Sequence, residues 1–462
     1  MINSNIITLI YIISSVLFIL GMKRLNSPKT ARSGNLISSL AMFIAILVTI
    51  LDNSTLKISW IIIGLIIGSS IGISMAKLVK MTAMPQMVAL FNGFGGLASA
   101  LVSSQEFTRI FNIGNHTIYS VSTIIISIIV GTITFTGSII AFLKLQELIT
   151  TNPILIPLRN ILNLFLLLIT ISIGILILIT GNHLLIYYLI ALGLIVGILI
   201  VIPIGGADMP VVIALLNSYS GIAAAFAGFA LNNTILIICG SLVGASGLIL
   251  TNIMTKAMNR SMLNVITGGF GQQNININKD ISKHSKPFKS IDTESTSILL
   301  KYSENIIIVP GYGLAVAQAQ HSIKDLSDIL ESKGCNIKYA IHPVAGRMPG
   351  HMNVLLAEAN IPYDQLYDLE QINDQFITAD VVIVIGANDV TNPEARNNRN
   401  SPIYGMPILN VDKAKNIIVL KRSMSTGFSG IDNELFYQEK TSMLFGDAKK
   451  SLEAINKELK LD

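Results

Sequence analysis

Lys421, Arg422 and Ser423 stand side by side at the end of an apolar run and offer an ammonium, a planar guanidinium and a hydroxyl. A point charge beside a two-pronged donor and a hydroxyl suits the oxygens of a single phosphate. The same three residues also suit a solvated strand end, and their types alone do not separate the two readings. A second feature favours the phosphate. Residues 305–316 read NIIIVPGYGLAV, an apolar strand, a glycine-rich turn and a helix start. Gly311 and Gly313 permit a tight turn and let the backbone approach a pyrophosphate, where free N–H groups at a helix N-terminus attract anions. So short a glycine motif is weak alone and draws its weight from the strand before it and the helix after it. An ordinary dinucleotide site carries an acid at the end of its second strand for the ribose 2′-hydroxyl. Here that run ends Ala340-Ile341-His342-Pro343 and leads to Arg347, which favours a nucleotide with an extra phosphate.

The elements that must position these groups follow from the pattern around them. NIIIVPG, NIKYAIHP, DVVIVIGAN, PILNV and NIIVLKRS are strand-like, and helices are expected from Ala315 to about Ser332 and near Met352–Asn360. Continuous apolar strands alternating with helices indicate a mainly parallel sheet covered on both faces, a Rossmann-like α/β domain.

Upstream the chain is of another kind. Of 462 residues, 51% are hydrophobic and only 13% charged, with the charge concentrated beyond about residue 255. The mean hydropathy of +0.64 is too high for an ordinary soluble enzyme. Spans long enough to cross about 30 Å of hydrocarbon are expected near 4–22, 34–51, 58–76, 84–103, 119–142, 161–180, 184–204, 208–230 and 233–254, about nine transmembrane helices. The first run has Lys23 and Arg24 after it and no basic leader, so it reads as an anchor, not a removed signal peptide. Alternate loops carry Lys23, Arg24, Lys29 and Arg32, then Lys77 and Lys80, then Lys144 and Arg159, then Lys256 and Arg260. The positive-inside rule then places the N-terminus outside and the C-terminal domain in the cytoplasm. The net charge of +5 is scattered through these loops and forms no stripe for nucleic acid. The expected domains are 1–262 in the membrane, a polar linker at 263–303 and the Rossmann-like domain at 304–462. Cys239 and Cys335 give no disulfide framework, His284 in the linker has no partner at ligand spacing, and no metal site is expected.

Small residues at helical spacing, such as Gly131, Thr134 and Ser138, or Gly240, Gly244, Gly247 and Thr251, read as packing seams. Asn92 heads a stripe with Gly96, Ser99 and Ser103, and Asn217 another with Ser220 and Gly221. Each amide serves either as inter-helix glue or as part of a proton or water route. Asp208, in GGADMP, either caps a helix start before Pro210 or acts at a cytoplasmic mouth.

Long strings then carry a resemblance. GYGLAVAQAQ at 311–320, HPVAGRMPGHMNVLLAEA at 342–359, VIGAND at 384–389, KRSMSTGF at 421–428 and MLFGDAK at 443–449 resemble the NADP(H)-binding domain of proton-translocating nicotinamide nucleotide transhydrogenases. GGADMPVV, LNSYSG and KAMNRS resemble their membrane part, and the chain as a whole is similar to the bacterial beta subunit. The resemblance implies hydride transfer from NADH to NADP+ coupled to proton entry into the cytoplasm, in the bacterial inner membrane. It implies nucleotide contacts at Gly311, Tyr312, Gly313, Ala315, Val316, Arg347, Pro349, Gly350, Gly386, Ala387, Asn388, Asp389, Lys421, Arg422, Ser423, Gly446, Asp447 and Ala448, with the KRS segment on the 2′-phosphate. Asp389 is the implied catalytic acid, whose protonation communicates with the membrane; Asn92, Asp208 and Asn217, from their own polar positions, are the expected residues of the proton route. The family holds its nucleotide in a reversed sense, which puts the pyrophosphate assignment of the glycine turn in question. Asn92 stands where familiar relatives place a membrane histidine, and an asparagine does not titrate near neutrality.

One dinucleotide fold is evident, yet hydride transfer needs donor and acceptor held together. The resemblance implies an alpha subunit carrying NAD(H) and further helices, in a dimer of alpha–beta pairs within the lipid. The competing expectation is a cation channel or transporter with a cytoplasmic dinucleotide sensor.

Overall fold

The computed structural model describes residues 4–461 except 26, 53–57, 81–82, 115–116, 152, 155–157, 260, 267–286, 348–349, 400, 402 and 428. The chain divides into two compact units, Met1–Pro203 with Val212–Leu250, and Ile204–Val211 with Thr251–Asp462.

Helices α1 (Ser4–Leu25), α2 (Pro28–Asp52), α3 (Ile58–Leu78), α4 (Met84–Ile113), α5 (Ile118–Leu145), α6 (Arg159–Thr180), α7 (Leu184–Val201), α8 (Met209–Leu231) and α9 (Thr234–Ala257) dominate the first part of the chain. Among the described residues these nine helices are long and apolar enough to cross a membrane. In hydrocarbon every backbone N–H and C=O must be satisfied within the segment, so apolar runs of this length become helices. Helix contacts follow the small residues. A methyl on Gly96 of α4 would lie 2.7 Å from the carbonyl oxygen of Gly131 on α5. One on Gly221 of α8 would lie 2.5 Å from the amide nitrogen of Gly244 and 2.8 Å from the carbonyl oxygen of Gly240 on α9. Without side chains at these crossings the backbones touch, which is how helices gain dispersion energy when no water drives them together. Gly64, Gly68 and Gly72 of α3 have nothing within 4 Å of the same position.

The observed α4 runs ten residues past its expected end at 103, through SSQEFTRIFNI to the left-handed Gly114, whose N–H donates to Ile110 O and Phe111 O. Hydropathy falls at SSQE, but a helix stops at a capping residue and not where hydropathy falls.

In the second unit, α10 (Met262–Ile266) is followed by β1 (Lys289–Ser290), α11 (Thr293–Lys301), β2 (Asn305–Pro310), α12 (Tyr312–Val316), α13 (Gln320–Ser332), β3 (Asn336–Ile341), α14 (His351–Glu358), β4 (Leu366–Asp368), α15 (Leu369–Ile372), β5 (Val381–Ile385), α16 (Glu394–Asn397), β6 (Asn416–Lys421), β7 (Thr441–Phe445) and α17 (Ala448–Leu461). The strands form one seven-stranded sheet in the order β1-β7-β6-β5-β2-β3-β4. Every pair is parallel. Its middle strands are buried along their length, with Val309, Val382, Val384, Val419 and Met443 packed against Phe376, Leu435 and Phe436. β1 and α11 fall inside the stretch read from the sequence as linker, and residues 267–286 of that stretch lie outside the described residues.

Three features differ from expectation. The helix expected from Ala315 to Ser332 is split, since Gln318 takes a left-handed φ of +51° between α12 and α13. That break lets α13 turn Ile323, Leu326 and Leu330 into the core. PILNV at 407–411 forms no strand; its backbone is satisfied by loops, with Leu409 N–H donating to Val390 O and Asn410 N–H to the Asn373 side chain. TSMLF supplies β7 instead, so the run ending at Lys421 is not the last strand.

Gly131→Ala and Gly221→Ala are expected to lower the thermal unfolding midpoint of the purified chain in detergent, each through overpacking worth about 1–3 kcal/mol. Gly64→Ala, where a methyl meets nothing, serves as the control and leaves the midpoint unchanged or raises it.

Candidate functional site

Strand order reverses between β2 and β5: the chain runs from β2 outward through β3 and β4, then returns to β5 and runs the other way. The turns leaving the two strands therefore diverge and open a crevice at their C-terminal ends, the usual ligand position in such sheets. Beyond the ladder the edge is stitched by further backbone bonds. Gly311 N–H donates to Ile385 O at 2.9 Å, Gly386 N–H to Leu420 O at 3.2 Å and Gly446 N–H to Lys421 O at 3.0 Å. Gly313 N–H donates to Gly386 O at 3.0 Å. Gly386 holds a left-handed φ of +63°, and a methyl on Gly311 would lie 2.5 Å from Cα of Ala387. The glycines of the first turn are thus required by the turn after β5.

A cavity of about 500 Å³ opens here. Of the residues expected to bind a nucleotide, Gly311, Tyr312, Gly313, Val316, Gly386, Ala387, Asn388, Asp389, Lys421, Arg422, Ser423, Gly446 and Ala448 line it. Ala315 is fully buried in the core. Gly350 is the left-handed N-cap of α14, and Asp447 accepts the N–H of Lys449 at 3.2 Å at the start of α17. Arg347 is buried with its guanidinium 4.4 Å over the ring of Tyr312. Pro349 lies outside the described residues. The lining also includes Val344, Ala345, Gly346, Ser425, Thr426 and Gly427. These lie inside the strings at 342–359 and 421–428 that carry the resemblance, but no charge or spacing marks them singly.

The basic triplet forms one wall. Lys421 Nζ donates to Ser425 O at 2.6 Å and sits 4.5 Å from the centre of the Phe436 ring. Burial pulls its pKa down, opposed by the charges of Asp389 and Asp432. Arg422 reaches Asp447 at 3.2 Å, and the Ser423 and Ser425 hydroxyls are 2.8 Å apart. Asp389 does not face Lys421 alone: it accepts the Ser429 hydroxyl at 2.6 Å and the Ser429 N–H at 3.0 Å, tying the loop after β6 to the end of β5. An ammonium, a guanidinium and two hydroxyls on one wall of a cavity this size fit a phosphorylated ligand. Among the described residues no cluster of histidine, cysteine, aspartate or glutamate could hold a metal ion.

Two histidines brace the loop after β3. His342 Nδ1 accepts Val344 N–H at 3.2 Å, so its other nitrogen, 2.8 Å from Pro407 O, is the donor. His351 Nδ1 accepts Arg347 N–H at 3.0 Å, closing the loop over Gly346. Burial pushes both imidazoles down to about 4, and the Arg347 charge adds to the effect on His351. Both are therefore neutral near pH 7.

The remaining expected residues lie elsewhere. Asn92 is buried on α4 and donates from Nδ2 to Ile213 O of α8 at 3.3 Å. Asn217 is half-buried on α8, beside Ser218, whose hydroxyl donates to Gly244 O at 2.5 Å. Asp208 is fully buried as the last residue of the single turn before α8.

The unfolded chain binds protons on both histidines below about pH 6.5. The folded domain accepts them only near pH 4, so the stability they confer is whole above about 6.5 and is lost as pH falls toward 4. The denaturation midpoint of the full chain should fall across that window, and fall less in His342→Gln or His351→Asn. A midpoint flat across the window would contradict the assignment.

Comparison with known proteins agrees with this architecture. The family model described as NAD(P) transhydrogenase beta subunit matches residues 7–458. The NAD(P) transhydrogenase subunit beta of Rhodospirillum rubrum is 48% identical over 450 residues, covering 96% of this chain and 97% of that protein. The same subunit from a strain of that species matches equally. A channel with a nucleotide sensor finds no support in these matches. With nearly its whole length covered, the chain belongs to the NAD(P) transhydrogenase beta subunit family.

Proposed function

We propose that this chain supplies the NADP(H) site and part of the proton route of a transhydrogenase that passes hydride from NADH to NADP+ as protons move inward. One observation carries the reading: the basic triplet Lys421-Arg422-Ser423 forms a wall of the cavity at the strand reversal, in a chain of this family. Lys421 and Arg422 would hold the 2′-phosphate with the Ser423 hydroxyl. The Gly311 and Gly386 turns, with Tyr312 and Ala387, would form the floor under the rest of the nucleotide. When bound, the nicotinamide accepts or returns a hydride. Arg347 and Gly350, between β3 and α14, would meet it from one side, with Pro349 as a further proposed contact, and Asp389, through Ser429, fixes the facing loop. Protonation of Asp389 would weaken both of its bonds to Ser429 and loosen that loop, a direct link between proton state and nucleotide exchange.

A partner follows from the chemistry. One dinucleotide fold cannot hold donor and acceptor in reactive contact, so NAD(H) arrives on the alpha subunit that the beta designation of the family implies. Two alpha–beta pairs would form the enzyme, in the bacterial inner membrane with the N-terminus outside and the nucleotide domain in the cytoplasm. Domains at 1–262 and 304–462, joined by 263–303, fit this division of labour. Moving one proton down 100 mV releases about 2.3 kcal/mol, close to a fiftyfold shift in an equilibrium. Asn92, Asp208 and Asn217 are proposed to line the route.

Lys421→Ala and Arg422→Ala should each raise the Kd for NADPH about ten- to a hundredfold, the loss of a hydrogen bond to a charged group, without strengthening or weakening NADH binding. Equal loss for both nucleotides would argue that the triplet does not read the 2′-phosphate. In vesicles holding the alpha–beta complex, NADH should reduce an NADP+ analogue with proton movement toward the nucleotide-domain side. Asp208→Asn and Asn217→Leu should cut both activities together, and coupled wild-type rates in both variants would remove these residues from the route.

A further inference from the structure

We propose that Glu106 is the ionisable group that exchanges protons at one mouth of the membrane route, a role that Asn92 cannot fill; the proposal rests on the transhydrogenase reading above. Asn92, Gly96, Ser99, Ser103 and Glu106 fall on one face of α4, because offsets of 4, 7, 11 and 14 residues return to within about 40° at 3.6 residues per turn. All five are buried. The face is hydrogen-bonded to neighbouring helices at Asn92, Ser99 and Ser103. Asn92 Nδ2 reaches Ile213 O of α8 at 3.3 Å. The Ser103 and Ser127 hydroxyls are 2.8 Å apart, and the Ser127 hydroxyl lies 3.0 Å from Ala223 O and 3.4 Å from Ser99 O. At 1.5 Å per residue, Asn92 and Glu106 are about 21 Å apart along α4, two-thirds of a hydrocarbon core of about 30 Å.

Glu106 ends this stripe. It is 5% exposed, and both carboxylate oxygens accept hydrogen bonds from Arg109, Nε to Oε2 and Nη2 to Oε1, each at 2.7 Å. The Arg109 side chain is 63% exposed. A carboxylate facing a polar seam on one side and an exposed guanidinium on the other can take a proton from the aqueous side, give up its pair with Arg109, pass the proton to the hydrogen-bonded hydroxyls, and regain both charge and partner. A surface pair three residues apart on a helix contributes only about 0.2–0.5 kcal/mol and needs no burial of its acid. Burying a carboxylate among Phe107 and Ile110 is costly, and proton exchange gives that cost a reason. The other titratable groups at this end, among the described residues, include Tyr119 on α5, Tyr187 and Tyr188 at the start of α7, and His183 before it, whose ring meets Phe107 and Phe111 edge-on at 5.2 and 5.6 Å.

The test uses the alpha–beta complex in vesicles, with NADPH binding to the solubilised complex as the check on folding. Glu106→Gln should lower coupled NADPH formation and proton movement together by at least about tenfold, with NADPH binding within about twofold of wild type. Arg109→Gln should shift the pH optimum of coupled proton movement, because the pair that Glu106 gives up and regains is gone. Near-wild-type coupling in a Glu106→Gln complex that binds NADPH overturns the proposal, and so does an unmoved optimum in Arg109→Gln. If Glu106→Gln fails to bind NADPH, the Arg109→Gln profile alone decides. A wild-type complex that moved no protons would instead sink the transhydrogenase reading on which this rests.

Discussion

The site depends on the approach of two backbones at the C-terminal edge of the sheet. Gly311 and Gly313, leaving β2, lie against Gly386 and Ala387, leaving β5, close enough that neither side could carry a Cβ facing the other. Hydrogen bonds from Gly311, Gly386 and Gly446 extend the ladder one residue past the strands and align the exits of β2, β5, β6 and β7. A row of exits aligned this way puts the glycine turn, the Asp389 loop, the basic triplet and the Asp447 helix start around one cavity. Fixed positions of that kind matter for a charged ligand, since ammonium and guanidinium groups lose entropy when they must be gathered from flexible loops.

The same economy operates in the membrane unit by other means. Glycine and serine at helix crossings bring backbones into contact, and the closeness brings hydroxyls within reach of carbonyls on neighbouring helices, as with Ser127 and Ala223 or Ser218 and Gly244. Packing residues and hydrogen-bonding residues therefore share the same faces. A seam that holds helices together without water is also a row of polar groups across the bilayer.

Much of this was legible in the sequence, for identifiable reasons. β2, β5 and β6 are buried on both faces along most of their length and so read as nearly unbroken apolar runs, and the helices of the membrane unit announce themselves by length. Lys421, Arg422 and Ser423 were recognisable because three complementary donors are adjacent in the chain. The rest depends on contacts between distant residues. The bond from Ser429 to Asp389 spans forty residues, and Phe436 lies fifteen beyond the Lys421 it covers. The break at Gln318 carries no glycine or proline to mark it, and PILNV has a strand's composition while loops satisfy its backbone. The stacking of Arg347 on Tyr312 is likewise supplied only by the folded loop. Glu106 lies beyond the point where hydropathy ends the expected span, and nothing in its sequence neighbourhood signals its burial.

The most direct measurement is hydrogen exchange of the purified full-length chain with NADPH, with NADH and without nucleotide. The account predicts that NADPH slows exchange at residues 311–316, 386–389 and 421–427 together while NADH does so weakly or not at all. Equal protection by both nucleotides, or protection that leaves the 421–427 amides untouched, would contradict it.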